Sequence, residues 1–279
     1  MNKKVVITLL IGLGSILSTF SNEILVEKDD VLSTKYNYCT VLYDPKTELI
    51  ETYGNLDFNS RFSPCSTFKI VNSIISFELD SNLHSNSVFI WDKKIRFNEN
   101  WNKDLTLKQA FKTSAYWVYQ ILSRKIGKKI FSEYLNKLNY GNCDLNGKID
   151  SFWQNSSLKI SPLEQVRFLS NIFENQIFTS KAVNSLKQLM KDDEISQINI
   201  SGKTGSGWGD SITGNELEIF EPTINSIIVH GWYVGYINLN GKNKYFCTYI
   251  RGKDATGSEA KKIMINYLLK IKSLTTASS

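Results

Sequence analysis

A serine and a lysine three residues apart, Ser66 and Lys69, are the residue types that nucleophilic catalysis needs. A serine hydroxyl is a weak nucleophile until a neighbouring base accepts its proton. The run from Phe68 to Phe77 is mostly apolar and predicts a buried helix. Positions three apart share one face of a helix, so this helix would bring the two side chains together. Burial disfavours the charged form of a lysine, and a neutral Lys69 amine could accept the Ser66 proton.

The same Ser-x-x-Lys pattern occurs at Ser156 and Ser258, where a polar pair on the surface is the simpler interpretation. Ser66 differs because it begins an apolar helix. Ser63 is predicted as the N-cap of this helix, and Pro64 suits the first helical position, where its missing N–H costs nothing. Ser66 is therefore expected in the first turn, near the positive end of the helix dipole.

Strand patterns at both ends of the chain enclose a mainly helical middle. Cys39–Tyr43 and Leu49–Tyr53 predict a hairpin, and a second pair, Ile227–Ile237 and Tyr245–Ile250, flanks an Asn240-Gly241 turn. A further strand is predicted to lead from Gln197 into a Lys-Thr-Gly motif. The predicted helices are Leu107–Lys112 (capped by Thr106), Trp117–Ile126 (ended by Gly127), Ile130–Leu138, Pro162–Phe173 (with a Ser161/Glu164 capping box) and Ser258–Ile271.

These elements predict an α+β fold, in which both ends of the chain form one antiparallel sheet flanked by helices, with an inserted all-helical lobe. Residues 22–279 are expected to form a single domain, with an α+β lobe from residues 22–65 and 195–279 and a helical lobe from residues 66–194. The active site is expected in the cleft between the lobes. The polar stretch from Ser206 to Pro222, which contains Trp208, is predicted to be a loop that borders this cleft.

The first 21 residues have the features of a signal peptide. Lys3 and Lys4 precede an apolar stretch from Val5 to Leu17, and small residues follow up to Ser21. An uncleaved membrane anchor is the alternative, but the stretch is short for a membrane span. No later segment approaches the roughly 18 apolar residues that a span needs. The mature protein is therefore expected in the periplasm or secreted, without a stable membrane span.

Composition argues against several other functions. The formal net charge is +6 and the basic residues are scattered, which disfavours a nucleic-acid partner. With two histidines and no Cys-x-x-Cys spacing, the sequence predicts no metal site. His84 and His230 lack the context of a Ser-His-Asp triad. Export permits disulfides, whose pairing the sequence leaves open, among Cys39, Cys65, Cys143 and Cys247.

Two later elements complete a candidate site with Ser66. Ser114 lies in the break between two predicted helices, and Lys203–Gly205 lies on a predicted strand, where a glycine lets a ligand approach the backbone. The second hydroxyl could relay protons, and the Lys/Thr pair could hold a carboxylate. Backbone N–H groups near Ser66 and on the strand could form an oxyanion hole. This ordered set is typical of penicillin-processing acyl enzymes.

The chain resembles the class D β-lactamases, the oxacillinases, from about Cys39 to Leu269. The resemblance rests on Pro64–Lys69, Tyr140–Asn142, Phe152–Trp153, Leu158–Ser161 with Glu164–Gln165, Lys203–Gly205 and Gly231–Gly235. The Tyr-Gly-Asn and Trp-containing segments separate class D from class A relatives. The resemblance implies the serine β-lactamase fold and a hydrolase of small-molecule β-lactams that gives antibiotic resistance.

The resemblance implies a role for each matching residue. Ser66 would be the acylated nucleophile, and Lys69 would be the general base after its amine is carboxylated to N6-carboxylysine. The only cofactor implied is therefore CO2 or bicarbonate. Ser114 would relay protons, and Trp153 would donate its indole N–H to the carbamate. Tyr140 to Asn142 would shape the cleft, and Trp232 is expected to pack behind the Lys-Thr-Gly strand.

The residues implied to hold the substrate carboxylate are Lys203, Thr204 and Gly205. Members of this family commonly add an arginine after the last strand. Arg251 is the nearest candidate in this sequence, with Thr256 or Ser258 as alternatives.

At one position the chain departs from the family pattern. The second serine is usually followed by x-Val, but this sequence has Tyr116 in the third position. A tyrosine that pointed towards Lys69 would change the apolar pocket required by the carbamate and slow deacylation. The alternative functions are therefore a penicillin-binding or sensor-like protein that is acylated at Ser66 and deacylates slowly, and a D,D-peptidase with the same acyl-enzyme chemistry.

Overall fold

The computed structural model describes residues 24–28, 33, 35–154, 157–191, 199–210, 226–239 and 242–276. The predicted signal peptide and the predicted Asn240-Gly241 turn lie outside these ranges. Within them, no helix has the length and apolar character needed to cross a membrane.

The described residues form eight strands and six α-helices. The strands are β1 (Ile24–Lys28), β2 (Asn37–Asp44), β3 (Leu49–Gly54), β4 (Val88–Phe89), β5 (Leu105–Thr106), β6 (Ile200–Asp210), β7 (Ser226–Leu239) and β8 (Lys242–Arg251). The helices are α1 (Lys69–Leu79), α2 (Leu107–Lys112), α3 (Tyr116–Leu138), α4 (Pro162–Glu174), α5 (Ser180–Met190) and α6 (Gly257–Thr276). Short 3-10 turns occur at Cys65–Phe68 and Glu99–Trp101.

Six strands form the main sheet, in the order β1-β3-β2-β8-β7-β6. The predicted union of both chain ends is confirmed at its centre, where β2 pairs antiparallel with β8 and Val41 lies opposite Cys247. The sheet is not antiparallel throughout, because β1 pairs parallel with β3. β2 is already flanked by β3 and β8, and β1 joins the sheet at the outer edge of β3. It runs in the same direction as β3 and therefore opposite to β2.

Helices cover both faces of the sheet. On one face, Ala260 and Met264 of α6 pack in an apolar cluster with Phe246 and Ile250 of β8. On the other face, α4 packs directly against β8 and β2, while α1 packs against α3 and α5. The helical segment and the sheet therefore share one continuous core.

The predicted helix signals are confirmed where a polar cap or a glycine marks the boundary. Thr106 and Gln109 form a capping box at the start of α2, and Ser161 and Glu164 form one at the start of α4. The two helices predicted on either side of Gly127 join into α3. Gly127 interrupts the helical geometry with φ +78°, a conformation that glycine adopts at low cost.

The predicted cap of the nucleophile helix is wrong. The chain enters α1 through the 3-10 turn Cys65–Phe68, Pro64 precedes that turn, and no side chain caps it. The Ser63 hydroxyl instead accepts a hydrogen bond from Lys159 Nζ at 3.2 Å. The Ser63 carbonyl accepts one from the Trp232 indole at 2.9 Å. Tertiary contacts at this buried serine thus replace the local cap.

The predicted loop after the Lys-Thr-Gly motif is wrong in its first part. Ser206–Asp210 continues β6 and pairs with β7, with a register shift between Gly207 and Trp208. This shift lets the strand continue through a glycine-containing polar sequence. Residues 211–222 of the predicted loop lie outside the described residues.

The cysteines, whose pairing the sequence left open, are all free thiols. Burial raises the pKa of Cys39 to about 12, so this thiol stays protonated at neutral pH.

The capping box of α4 gives a stability prediction. Replacing Ser161 with alanine should lower the free energy of unfolding by about 1 kcal/mol, because the Glu164 N–H loses the acceptor now at 3.2 Å. Urea unfolding followed by circular dichroism measures the change. The control is Ser161→Gly, which should cost only a few tenths of a kcal/mol. Equal losses in both variants would contradict a capping role.

Candidate active site

The nucleophile candidate Ser66 lies in the 3-10 turn that leads into α1. The residue before it, Cys65, has a left-handed backbone with φ +49°. Such a conformation costs energy in a residue with a side chain and persists only when the surroundings enforce it. Here the Cys65 N–H donates to the Trp153 carbonyl at 3.0 Å, and the Cys65 side chain is fully buried. The strained turn places Ser66 in the wall of a cleft.

Lys69 meets Ser66 as the helical spacing predicted, with Nζ 2.9 Å from Oγ. The lysine is only 2% exposed, and its ammonium position lies 5.1 Å from the centre of the Tyr119 ring. Burial lowers the Lys69 pKa to about 7. A substantial fraction of the amine is therefore neutral at pH 7 and can accept the Ser66 proton.

Ser114 and Lys203 meet on the opposite side of the cleft. Ser114 occupies the predicted break between α2 and α3 with φ +58°. Lys203 Nζ lies 2.6 Å from Ser114 Oγ and donates to the Thr204 carbonyl at 2.9 Å. Burial first, and then repulsion from Lys69 and Lys261, holds the Lys203 pKa well below its usual value. A bound anion would stabilise the charged form of this lysine.

Gly205 brings β6 into close contact with the nucleophile turn. A Cβ at this position would lie 3.1 Å from the Pro64 carbonyl oxygen and from Thr67 Cγ2, and 3.2 Å from the Thr67 nitrogen. Gly205 pairs in register with Trp232 of β7, and the indole of this tryptophan bonds to Ser63. The prediction that Trp232 packs behind the Lys-Thr-Gly strand is thus confirmed.

Trp153 lies beside the same turn. Its buried indole stacks on Phe68 with ring centroids 5.4 Å apart, and its carbonyl holds Cys65. Tyr140 packs against the edge of Phe68 at 5.6 Å. The side-chain oxygen of Asn142 accepts the Lys159 N–H at 2.9 Å, which ties the Tyr-Gly-Asn segment to the chain near the site.

Arg251 is the predicted site residue that lies apart from the others. Its side chain is exposed, with the guanidinium 5.9 Å from the centre of the Phe62 ring. The element beside the Lys-Thr-Gly motif is instead the start of α6, where Gly257 N–H donates to Ser206 Oγ at 2.9 Å. Thr256, an alternative from the sequence, caps α6 by accepting the Glu259 N–H at 3.1 Å.

Tyr116 forms part of the cleft wall. Its ring meets Trp101 edge to face at 5.2 Å, and the Arg96 guanidinium lies 5.8 Å from the ring centre. Arg96 is in turn held by both carboxylate oxygens of Asp92, at 2.9 and 2.8 Å. These contacts hold the Tyr116 ring against Trp101 and Arg96.

The structure adds cleft residues that sequence reasoning missed. The full lining is Ser66, Phe97, Trp101, Ser114, Tyr116, Gln154, Thr204, Gly205, Ser206 and Trp208. Aromatic residues are frequent between Phe89 and Trp101, which was a usable signal for an apolar wall. Gln154 carried no such signal, since it is an ordinary polar residue after Trp153.

This geometry, a serine against a buried lysine of lowered pKa with a second serine and a Lys-Thr-Gly strand beside them, defines a serine acyl enzyme of the penicillin-recognising class. Residues 34–270 match the family "Penicillin binding protein transpeptidase domain". This match covers most of the chain and agrees with the observed fold.

Three similar proteins show which of the penicillin-recognising proteins this chain resembles. The probable β-lactamase YbxI of Bacillus subtilis is 34% identical over 237 residues, covering 85% of this chain and 81% of YbxI. A crystal structure of a class D β-lactamase from Bacillus subtilis superposes with a TM-score of 0.72 at 32% identity, covering 85% of this chain and 92% of that one. The C-terminal domain of the Bacillus licheniformis BlaR penicillin-receptor has a TM-score of 0.74 at 28% identity, with 88% and 96% covered. The chain belongs to the class D serine β-lactamases.

The contact at Gly205 gives a kinetic prediction. Gly205→Ala should slow acylation by roughly 10-fold, because the added methyl group must push β6 away from the turn that carries Ser66, and small misplacements are costly in catalysis. Stopped-flow acylation by a chromogenic β-lactam measures the rate.

The double variant Gly205→Ala/Thr67→Ser supplies the matched control. It removes the Cγ2 methyl of Thr67 and keeps the hydroxyl that bonds to Pro64 and Gln165. Partial recovery of the acylation rate is expected. A Gly205→Ala variant that acylates at the wild-type rate would show that the close approach is unimportant.

Proposed function

We propose that the mature protein is an exported β-lactam hydrolase that works through an acyl-enzyme on Ser66, with Lys69 as the general base after carboxylation of its amine. The observation that carries this proposal is the 2.9 Å contact between Lys69 Nζ and Ser66 Oγ, made by a buried lysine with a pKa of about 7.

Acylation forms a bond from Ser66 Oγ to the β-lactam carbonyl carbon and breaks the ring C–N bond. The Ser66 proton passes to the base at Lys69, and the ring nitrogen receives a proton through Ser114. Backbone N–H groups of the nucleophile turn and of β6 stabilise the oxyanion, since Gly205 holds the two segments against each other.

Substrate binding is assigned to Lys203 and Thr204. Burial disfavours the charged form of Lys203, and a substrate carboxylate beside Lys203 Nζ would stabilise that form. Ser114, 2.6 Å from Lys203 Nζ, links this carboxylate site to the proton path. Arg251 has no part in this assignment, because its guanidinium lies over Phe62.

The surroundings of Lys69 fit N-carboxylation. CO2 reacts only with an uncharged amine, and burial keeps much of this amine uncharged at neutral pH. When present, the carbamate would supply an anionic oxygen as the general base for acylation and for the attack of water. Trp153, buried beside Phe68 in the same turn, is the residue assigned to donate a hydrogen bond to it.

A second candidate function is a receptor that is acylated and then stalls. The likeness to the BlaR receptor domain and the replacement of the usual valine by Tyr116 favour it. Against it, the Tyr116 ring packs against Trp101 and Arg96, and the aromatic ring beside Lys69 Nζ is that of Tyr119.

Export is inferred from residues 1–21, where two lysines precede a short apolar stretch and small residues follow. The mature protein would then act in the periplasm or outside the cell, where β-lactams are first met.

Turnover of a chromogenic β-lactam by the mature protein tests the proposal. We expect many turnovers per enzyme and a rate that increases with added bicarbonate. Lys69→Ala should lower the rate by about 10²–10⁴-fold, the range for loss of a general base. The control is Lys128→Ala, on the exposed face of α3, which should be as active as wild type.

A single burst that matches the enzyme concentration and then stops would contradict the hydrolase and support the receptor. In that case Tyr116→Val should restore turnover.

The pH dependence of carboxylation follows from the Lys69 pKa. The pKa is lowered from 10.5 to about 7, so the neutral amine is abundant above pH 7 and falls about tenfold for each unit below it. We expect the carbamate signal of protein in ¹³C-bicarbonate to be strong at pH 8 and to decline as the pH falls through 7. Because Lys203 is also buried with a lowered pKa, two variants are needed to assign the signal: Lys69→Ala should lack it, and Lys203→Ala should retain it. A signal of constant intensity from pH 5.5 to 8 would show that the amine has another pKa.

A further inference from the structure

A side-chain amide near the nucleophile is unused by the chemistry described so far. Gln154 lines the same cleft as Ser66, Ser114 and Tyr116 and is only 8% exposed. Most of the other side chains added by the structure to this lining are aromatic. Gln154 is therefore the side-chain amide of a described lining whose other side chains are hydroxyl-bearing or aromatic.

The backbone fixes Gln154 beside the nucleophile turn. The carbonyl of Trp153 accepts the N–H of Cys65 at 3.0 Å, so residues 153–154 run alongside residues 65–66. The N–H of Gln154 donates to the Ser151 carbonyl at 2.9 Å. The backbone of Gln154 is thus held beside the nucleophile turn, and its side chain lines the cleft together with Ser66.

The other polar side chains of the cleft have partners. Ser66 contacts Lys69, Ser114 and Thr204 contact Lys203, and Ser206 accepts from Gly257. The side-chain amide of Gln154 makes no hydrogen bond to any described residue. Because Gln154 borders the cleft, a water or ligand bound there can supply the missing hydrogen-bond partner.

We propose that Gln154 holds the water that deacylates Ser66, an inference that rests on the proposed hydrolase function. The amide oxygen would accept one hydrogen bond from this water and fix its direction of approach. Deacylation joins the water oxygen to the acyl carbon and breaks the bond from that carbon to Ser66 Oγ. The proton released by the water passes to the base at Lys69, and Oγ recovers a proton. Gln154 is thus a positioning residue for the second half of the reaction.

A water is a better occupant than the substrate for two reasons. The carboxylate of the substrate is assigned to Lys203 and Thr204. The remaining parts of the substrate would meet only the edges and faces of the aromatic rings of Phe97, Trp101 and Trp208. A neutral amide that is both donor and acceptor, beside the nucleophile and its base, matches a water molecule in size and hydrogen bonding.

The test compares wild type, Gln154→Met and Gln154→Asn. Methionine has nearly the same length and lacks the amide, whereas asparagine keeps the amide on a shorter stem. Acylation is followed by stopped flow, and the acyl-enzyme is quantified by intact-protein mass spectrometry after substrate is exhausted or diluted.

For Gln154→Met we expect deacylation slowed about 10–100-fold, as for a misplaced reactant, with the acylation rate within about threefold of wild type. The acyl-enzyme should accumulate, and kcat and KM should fall together. Asparagine should restore part of the deacylation rate. Unchanged acylation is also the check that a variant is folded, and the asparagine variant supplies the test if the methionine variant does not fold.

Two results would overturn the inference. One is an acyl-enzyme of Gln154→Met that decays at the wild-type rate. The other is a loss confined to acylation, which would place the amide against the substrate. Failure of the hydrolase proposal is distinguishable, because the wild-type acyl-enzyme itself would then persist.

Discussion

Burial of the Lys69 amine is the constraint on which the site depends. Water would keep this lysine protonated, and a protonated lysine could neither accept the Ser66 proton nor react with CO2. The pKa of about 7 therefore requires a dry setting, which the apolar side chains of α1 and the stacked Phe68 and Trp153 provide. The same packing explains the strained Cys65. Its backbone is held by the carbonyl of Trp153, so one segment both shields the amine and presents the hydroxyl.

A second consequence of this burial is a site that favours anions. Lys203 is also buried, and Lys69 and Lys261 lower its pKa further. No aspartate or glutamate is among the residues that line the cleft in the described part of the chain. No carboxylate of this lining can therefore pair with Lys203, and in the proposed function a substrate carboxylate would be its partner. Selectivity for an anionic ligand thus arises from desolvation as well as from direct contact.

Sequence reasoning succeeded where the signal is local. The spacing of Ser66 and Lys69, the capping boxes at Thr106 and Ser161 and the break at Gly127 each depend on residues within one or two turns, and the structure reproduces them. It failed where a distant element decides. Ser63 does not cap the helix as predicted and instead accepts hydrogen bonds from Trp232 and Lys159, which lie far away in the chain. Arg251 is turned towards Phe62 by the register of β8. The proposed role of Gln154 depends on a hydrogen bond between Cys65 and Trp153 that no sequence pattern predicts.

The order of the strands also bears on how the protein is made. The centre of the sheet joins β2 to β8, whose residues are separated by about two hundred positions along the chain. At roughly 5–20 residues per second, β2 waits on the order of 10–40 s for its partner to leave the ribosome. Non-local pairings of this kind also close slowly. Until synthesis is nearly complete, the nascent chain has a hairpin and helices and lacks the sheet that would bury them. For the proposed export of this chain the delay would be useful, because the polypeptide could cross a narrow channel before its core closes.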